Sequence, residues 1–200
     1  ILTCDWSSDV CSSDLIIAFD TLRDRRLPAV DGLFLGGGFP ETHMRALSAN
    51  AEMRASVRQA VESGVPTYAE CGGLMYLARS IEWDGRRAEM VGAVPADIVM
   101  HARPVGRGYV HLRETGHSPW PRAPDALPIR AHEFHYSSVE NLGPGAEFAY
   151  AVERGYGIDG RHDGLVMKNL LASFAHLRDV AGNRWARRFV DFVRSRRHAA

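Results

Sequence analysis

In the stretch Tyr68-Ala69-Glu70-Cys71-Gly72-Gly73-Leu74-Met75-Tyr76, a cysteine falls between an apolar run and two glycines, where a strand would stop and a helix begin. A side chain at such a bend is pushed clear of the backbone, and glycines on its C-terminal side allow the close approach that a sharp elbow needs. The start of a helix favours negative charge, which suits a thiolate nucleophile. The backbone N–H of Gly72 would then face a developing oxyanion. The competing reading is that Cys71 is a small buried hydrophobe. A second glycine cluster, Leu35-Gly36-Gly37-Gly38-Phe39-Pro40-Glu41, directly follows another apolar run. Three glycines leave backbone amides uncovered, so Gly37 and Gly38 could donate to an anion. Phosphate fits poorly, because no Gly-Lys-Ser/Thr follows and Glu41 stands where a dinucleotide fingerprint has its third glycine. A plain tight turn is the alternative.

A thiol nucleophile needs a general base from elsewhere in the chain. His176, in ASFAHLR, ends an apolar segment in the way a residue delivered by a strand end would. His132 and His135, in AHEFHYSS, are the competing bases. Their spacing puts them on opposite faces of a strand, a poor arrangement for a metal pair, and HEFH is shorter than the HExxH zinc motif. Structural or substrate-positioning roles suit them. His43, His101, His111 and His162 show no partner pattern and read as solvated or hydrogen-bonded histidines. No metal site is expected. The cysteines Cys4, Cys11 and Cys71 are too few and too irregular for a disulfide framework or a four-ligand zinc site.

The surrounding pattern alternates short apolar runs with longer periodic segments, as in a sheet flanked by helices. Strands are expected at Ile16–Phe19, Gly32–Leu35 and Val65–Ala69. A helix is expected over Glu41–Gly64, broken near Asn50, and another from Gly72 to Ala78. This order argues for a largely parallel sheet. In the second half, Met90–Val94, Tyr109–Leu112, Phe134–Tyr136, Phe148–Val152 and Gly164–Met167 read as short strands between Gly/Pro turns, with antiparallel additions at a sheet edge. Residues Asn183–Arg196 form an amphipathic helix. Residues 117–128 hold four prolines and read as an irregular loop.

The 200 residues are 46% hydrophobic, enough for one substantial core. Lys plus Arg equals Asp plus Glu at 24 each, so no excess field is available to draw in nucleic acid or an anionic membrane. No apolar run approaches the roughly 20 residues that cross a bilayer, and a cytoplasmic location is expected. The first fifteen residues, with CDWSSDVCSSDL, differ in character from the rest and resemble a translated sequencing adapter. Residues 1–15 are expected to be non-native, leaving 16–200 as the folded domain of a longer protein.

The motifs LGGGFPE (35–41), YAECGGLMYL (68–77), MVGAVP (90–95), AHEFHYS (131–137) and ASFAHL (172–177) occur in an order that resembles the glutamine amidotransferase domain of the cobyrinate a,c-diamide synthase family. The resemblance implies an α/β, flavodoxin-like class I glutamine amidotransferase fold, mostly parallel with antiparallel edge strands. It implies Cys71 as glutaminase nucleophile, His176 as base, and Gly72 with Gly37 or Gly38 as oxyanion donors. Glutamine is the implied substrate, and ammonia would pass to an N-terminal synthetase domain that uses ATP and Mg2+ to amidate the a and c acetates of a corrinoid. No cofactor is expected on this part of the chain, and a homodimer is an expected assembly. Sister readings are the corresponding domains of cobyric acid synthase and of nickel-sirohydrochlorin a,c-diamide synthase, a cysteine peptidase on the same fold, or a non-catalytic domain. One departure stands out. Triad glutaminases carry a Glu two residues beyond the base, where this chain has Arg178, so His176 either works as a dyad with Cys71 or takes another acid, with Glu133 the candidate.

Overall fold

A computed structural model describes residues 15–121, 128–180 and 183–197. In chain order the first half runs β1 (Leu33–Leu35), a 3-10 turn (Pro40–His43), α1 (Met44–Ala49), α2 (Ala51–Glu62), β2 (Thr67–Glu70) and α3 (Gly72–Leu77). The strands β3 (Ser80–Trp83), β4 (Arg86–Glu89), β5 (Asp97–Met100), β6 (Gly106–Glu114), β7 (Ile129–His135) and β8 (Ser137–Glu140) follow. The chain continues through β9 (Glu147–Arg154), β10 (His162–Met167), β11 (Leu170–Ser173) and α4 (Trp185–Arg197).

The larger sheet has the order β1-β2-β11-β10-β9-β6-β7. Its parallel part, β1, β2 and β11, is aligned so that Leu35 lies opposite Ala69 and Ser173 opposite Glu70. Parallel strands bring their C-terminal ends to one edge, so the loops leaving β1, β2 and β11 converge there. The remaining pairings in this sheet, from β11 through β7, are antiparallel and extend much further than an edge addition.

Two cores sandwich the sheet. On one side Met53, Val57 and Val61 of α2 pack with Leu33, Leu35 and the apolar side of α3. Asn50 divides α1 from α2: its side chain accepts from Met53 N–H while its amide donates to the carbonyls of Thr21 and Asp24. That is the break expected at this residue, caused by an N-cap. On the other side α4 buries Trp185, Phe189 and Phe192 against β2. Tyr68 sits at the centre of that cluster, 4.9 Å from the Trp185 ring, 5.1 Å from Trp120 and 5.5 Å from Phe34.

Two expected strands take other forms. Among the described residues, no strand pairs with Ile16–Phe19, and Ile16 is 68% exposed. An apolar run without a neighbouring strand has no ladder to join. Residues Met90–Val94 are buried, but their N–H groups turn back onto the last turn of α3: Met90 to Arg79 O, Val91 to Tyr76 O, Gly92 to Ala78 O and Val94 to Leu77 O. The run satisfies carbonyls that a helix end leaves open. Residues 1–14, with Cys4 and Cys11, lie outside the described residues, as do 122–127 of the proline-rich loop.

A second sheet, β4-β3-β5-β8, was not anticipated. Its hairpin turns on Asp84 and Gly85, both with positive φ, and WDGR carries the Asp-Gly signal for such a turn. Asp97 ties it together, accepting from Ser80 Oγ at 2.8 Å, Arg87 at 2.8 Å, Arg79 at 2.9 Å and Asn141 at 3.1 Å. The Arg79 hydrogen bond, helped by these others, holds the Asp97 carboxyl well below the usual carboxylate range. A depressed carboxyl stabilises the fold above its unfolded value, about pH 3.9, and that contribution is lost as pH falls below it. Asp97→Asn is therefore expected to lower unfolding free energy by about 2 kcal/mol at pH 7. In urea titrations the gap from the unmodified chain should stay open at pH 5 and narrow below about pH 4; a gap independent of pH would remove the charge from the explanation.

Candidate active site

Cys71 is the residue between β2 and α3, with φ 49° and ψ −103°, a conformation that side-chain-bearing residues rarely adopt. Its N–H donates to Ser173 O at 2.7 Å, so the bend is stitched to the end of β11. The glycines that follow are required by contact. A Cβ on Gly72 would lie 2.6 Å from Gly38 O, and one on Gly73 would lie 2.2 Å from Leu35 O. The triple-glycine turn is thus pressed against the elbow. Gly37 faces the site itself, where its Cβ would fall 2.9 Å from His176 Cε1 and 3.8 Å from Cys71 Cβ. The sulfur of Cys71 lies 4.0 Å from the Phe134 carbonyl oxygen, and the residue is 6% exposed.

His176 follows β11 and is held by its backbone: its N–H donates to His132 O at 2.7 Å, and His132 N–H returns a longer bond of 3.4 Å. Its side chain stands beside that of Cys71, both facing Gly37, and the two interact electrostatically. On the other side its Nδ1 meets Glu70 Oε1 at 2.8 Å. Burial works against the imidazolium, but the side chains of Cys71 and Glu70 beside the ring outweigh it and push His176 up to about 10. Glu70 is itself fixed, because its Oε2 accepts from Tyr68 OH at 2.8 Å and from Leu177 N–H at 3.2 Å. The carboxylate that meets the His176 ring therefore belongs to the residue immediately before Cys71.

The structure brings Cys71, His176, Gly37, Gly38 and Gly72 together, and it places the other candidates differently. His132 stacks on His176, ring centroids 4.7 Å apart and 11° between planes. Burial and the neighbouring charge of His176 push its imidazole down, favouring the neutral form. His135 points to the opposite face of β7, is 4% exposed, stacks on Phe174 at 3.9 Å, and contacts Ser137 O through Nδ1 at 2.9 Å. Glu133 does not reach His176. Its carboxylate accepts from the N–H groups of Tyr156 at 2.7 Å and Gly157 at 2.8 Å, and lies 3.7 Å from His135 Nε2. Burial opposes its charge, but these contacts hold its carboxyl low. It pins a loop, and the role considered for it falls to Glu70. Sequence reasoning missed Glu70 although a signal was present: Arg178 left His176 without a carboxylate, and the carboxylate nearest Cys71 in the chain was the adjacent one. Among the other histidines, His101 bonds Ser138 Oγ and His162 bonds Asp159. Among the described residues, no group of three or more His, Cys, Asp or Glu could hold a metal, and no helix is long and apolar enough to cross a membrane.

This fold is shared with solved glutamine amidotransferase-type structures. One is titled a glutamine amidotransferase (TM-score 0.59, 20% identity, 82% of this chain and 79% of that one). Another is PurLQS of Thermotoga maritima (TM-score 0.60, 14% identity, 88% and 83%). The fold is that of a glutamine amidotransferase domain. Residues 12–182 match the model of the CobB/CobQ-like glutamine amidotransferase domain, and the chain belongs to that family. A cobyrinate a,c-diamide synthase of Magnetococcus marinus is 46% identical over 181 residues, covering 90% of this chain and 38% of that protein. One of Archaeoglobus fulgidus is 42% identical over 175 residues, covering 88% and 38%. The chain thus spans little more than a third of the length of these relatives.

Because a Cβ at position 37 would meet the imidazole and not the sheet, Gly37→Ala is expected to leave the fold intact and displace His176. Glutamine hydrolysis should fall roughly 100-fold. Unchanged turnover in the folded variant would show that the imbalance of space at Gly37 has no bearing on the site.

Proposed function

We propose that this chain is the glutaminase portion of an ATP-dependent corrinoid a,c-diamide synthase. The observation that carries the chemistry is the Glu70–His176–Cys71 arrangement at the edge where three parallel strands end. The choice of corrinoid a,c-diamidation rests on the names of the relatives at 46% and 42% identity.

In this reading Cys71 Sγ attacks the side-chain carboxamide carbon of glutamine. The carbonyl π electrons move to oxygen, and that oxyanion is received by Gly72 N–H with an amide of Gly37 or Gly38, at about 3 kcal/mol per donor. His176, held as the imidazolium between two anionic groups, gives a proton to the leaving nitrogen as the C–N bond breaks, releasing ammonia and leaving a γ-glutamyl thioester. The now neutral imidazole takes a proton from water, whose hydroxide adds to the thioester; collapse frees glutamate and returns the Cys71 thiolate. Glu70 keeps the imidazole in the tautomer with its proton on Nδ1, so that Nε2 faces the reacting atoms. Ammonia would pass to a synthetase portion that binds ATP, Mg2+ and the corrinoid on residues outside this chain. The triple-glycine turn, packed against Gly72 and followed by Phe39-Pro40-Glu41, offers no lysine for phosphate. A location in the cytoplasm suits such a biosynthetic role.

The test is covalent capture. The 200-residue chain treated with the glutamine analogue 6-diazo-5-oxonorleucine should gain one adduct, mapped by mass spectrometry to Cys71 and lost in Cys71→Ser. An adduct elsewhere on folded protein, or none, defeats the reading. Glu70→Gln should cut turnover by up to about 10,000-fold, the order seen when an orienting acid becomes its amide. Since Glu70 raises His176, its removal should also move the high-pH fall of kcat/KM to lower pH; a fixed limb would detach Glu70 from the base. The raised imidazole also has a stability consequence of opposite sign to that of Asp97: its contribution is full below about pH 6.5 and is lost as pH climbs towards about 10.

A further inference from the structure

A fully buried carboxylate that the chemistry above does not use lies just behind the site. Asp163, in β10, has 0% of its surface exposed, yet no cation pairs with it among the described residues. It is met instead by four donors: Gly164 N–H at 2.8 Å and Phe174 N–H at 3.0 Å on Oδ1, with Ser173 Oγ at 2.9 Å and Ala175 N–H at 2.9 Å on Oδ2. Three of the four come from consecutive residues of one segment, 173–175. At one end of that segment, Ser173 O accepts the N–H of Cys71 at 2.7 Å. At its other end comes His176, whose N–H is bound by His132 O. The segment is therefore the backbone bridge between nucleophile and base, and every residue of it is buried.

We infer that Asp163 is a positioning residue for the glutaminase reaction: its carboxylate fixes the Ser173–Ala175 bridge and so sets the placement of the His176 imidazole against Cys71. A buried carboxyl is a costly choice for a merely structural brace. Burial pushes it above its ordinary range while the four donors pull against that shift. What it provides in return is geometric. Two lone-pair regions per oxygen take four donors at once, which a neutral side chain of the same size does not do. In Asp163→Asn one oxygen becomes an NH2 aimed at groups that also donate, so the bridge must shift or leave N–H groups unpaired. Phe174, stacked on His135 at 3.9 Å, keeps the bridge from collapsing sideways, so displacement is passed on to His176.

The inference rests on the glutaminase reading, and the experiment separates the two. The 200-residue chain and its Asp163→Asn variant would be compared by glutamine turnover, by thermal unfolding, and by the NMR titration of the His176 Cε1–H, assigned with His176→Gln. The unmodified chain is expected to hold His176 protonated to about 10, through the contacts it makes with Cys71 and Glu70. Asp163→Asn should lower kcat roughly 10- to 100-fold with KM within about twofold, as misplacement of a reacting group does. Its His176 midpoint should move down towards about 6.5 as the imidazole parts from its anionic neighbours. A folded Asp163→Asn with unchanged kcat and an unchanged midpoint, but lower thermal stability, overturns the inference. If Asp163→Asn does not fold, Ser173→Ala decides: it keeps Asp163 and removes one donor, and should shift both readings in the same direction by a few-fold; no shift overturns the inference. If the unmodified chain neither hydrolyses glutamine nor labels at Cys71 while the His176 midpoint still responds to Asp163→Asn, the glutaminase reading fails and the positioning stands.

Discussion

The hydrogen bond between Glu70 and His176 is the constraint on which the site depends. An imidazole on a single χ1–χ2 arm at the end of a strand would sweep a wide arc, and burial would strip its charge. The carboxylate at 2.8 Å fixes the ring and, with Cys71, more than offsets the cost of burying the cation. Glu70 is in turn held by Tyr68, whose ring is locked among Trp185, Trp120 and Phe34. Hydrogen bonds to charged groups contribute about 1.5–3 kcal/mol each, and in a chain they stiffen one another. The aromatic core beneath α4 is therefore the far end of a rod whose near end is the imidazole.

The elbow stores strain that the surrounding packing must hold. A non-glycine residue at φ 49° costs on the order of 1–3 kcal/mol. The bond from Cys71 to Ser173 and the glycine-to-backbone contacts with Leu35 and Gly38 over-determine that conformation, so relaxation would disrupt three strands at once. Downstream, α3 is only six residues long and gains its stability from the returning Met90–Val94 run rather than from its own length.

Much of this was legible in the sequence where local chemistry decides it. The elbow, the glycine turn, the break at Asn50 and the delivery of His176 by a strand end each follow from residues a few positions apart. The opposite faces of His132 and His135 follow from the period of a strand. What was not legible depends on partners distant in sequence. Met90–Val94 looks like a strand because burial, and not pairing, fixes its composition. Ile16–Phe19 looks like one because nothing local says that a neighbour is missing. Asp163 is a lone acid in RHDGLVM, and only the fold shows its four donors. Which carboxylate meets His176 turned on the face of β2 that Glu70 occupies, a question answered by Tyr68 and the core beneath it.

One consequence of the acid's address remains. In an arrangement where nucleophile, base and acid sit on separate segments, two non-covalent separations must hold together while the sheet flexes. Here the acid and the sulfur-bearing residue are consecutive, and their α-carbons are kept about 3.8 Å apart by the peptide linkage itself. Thermal breathing that parts β2 from β11 can lengthen the reach to the imidazole, but it cannot separate the two backbone positions that carry the groups on either side of it.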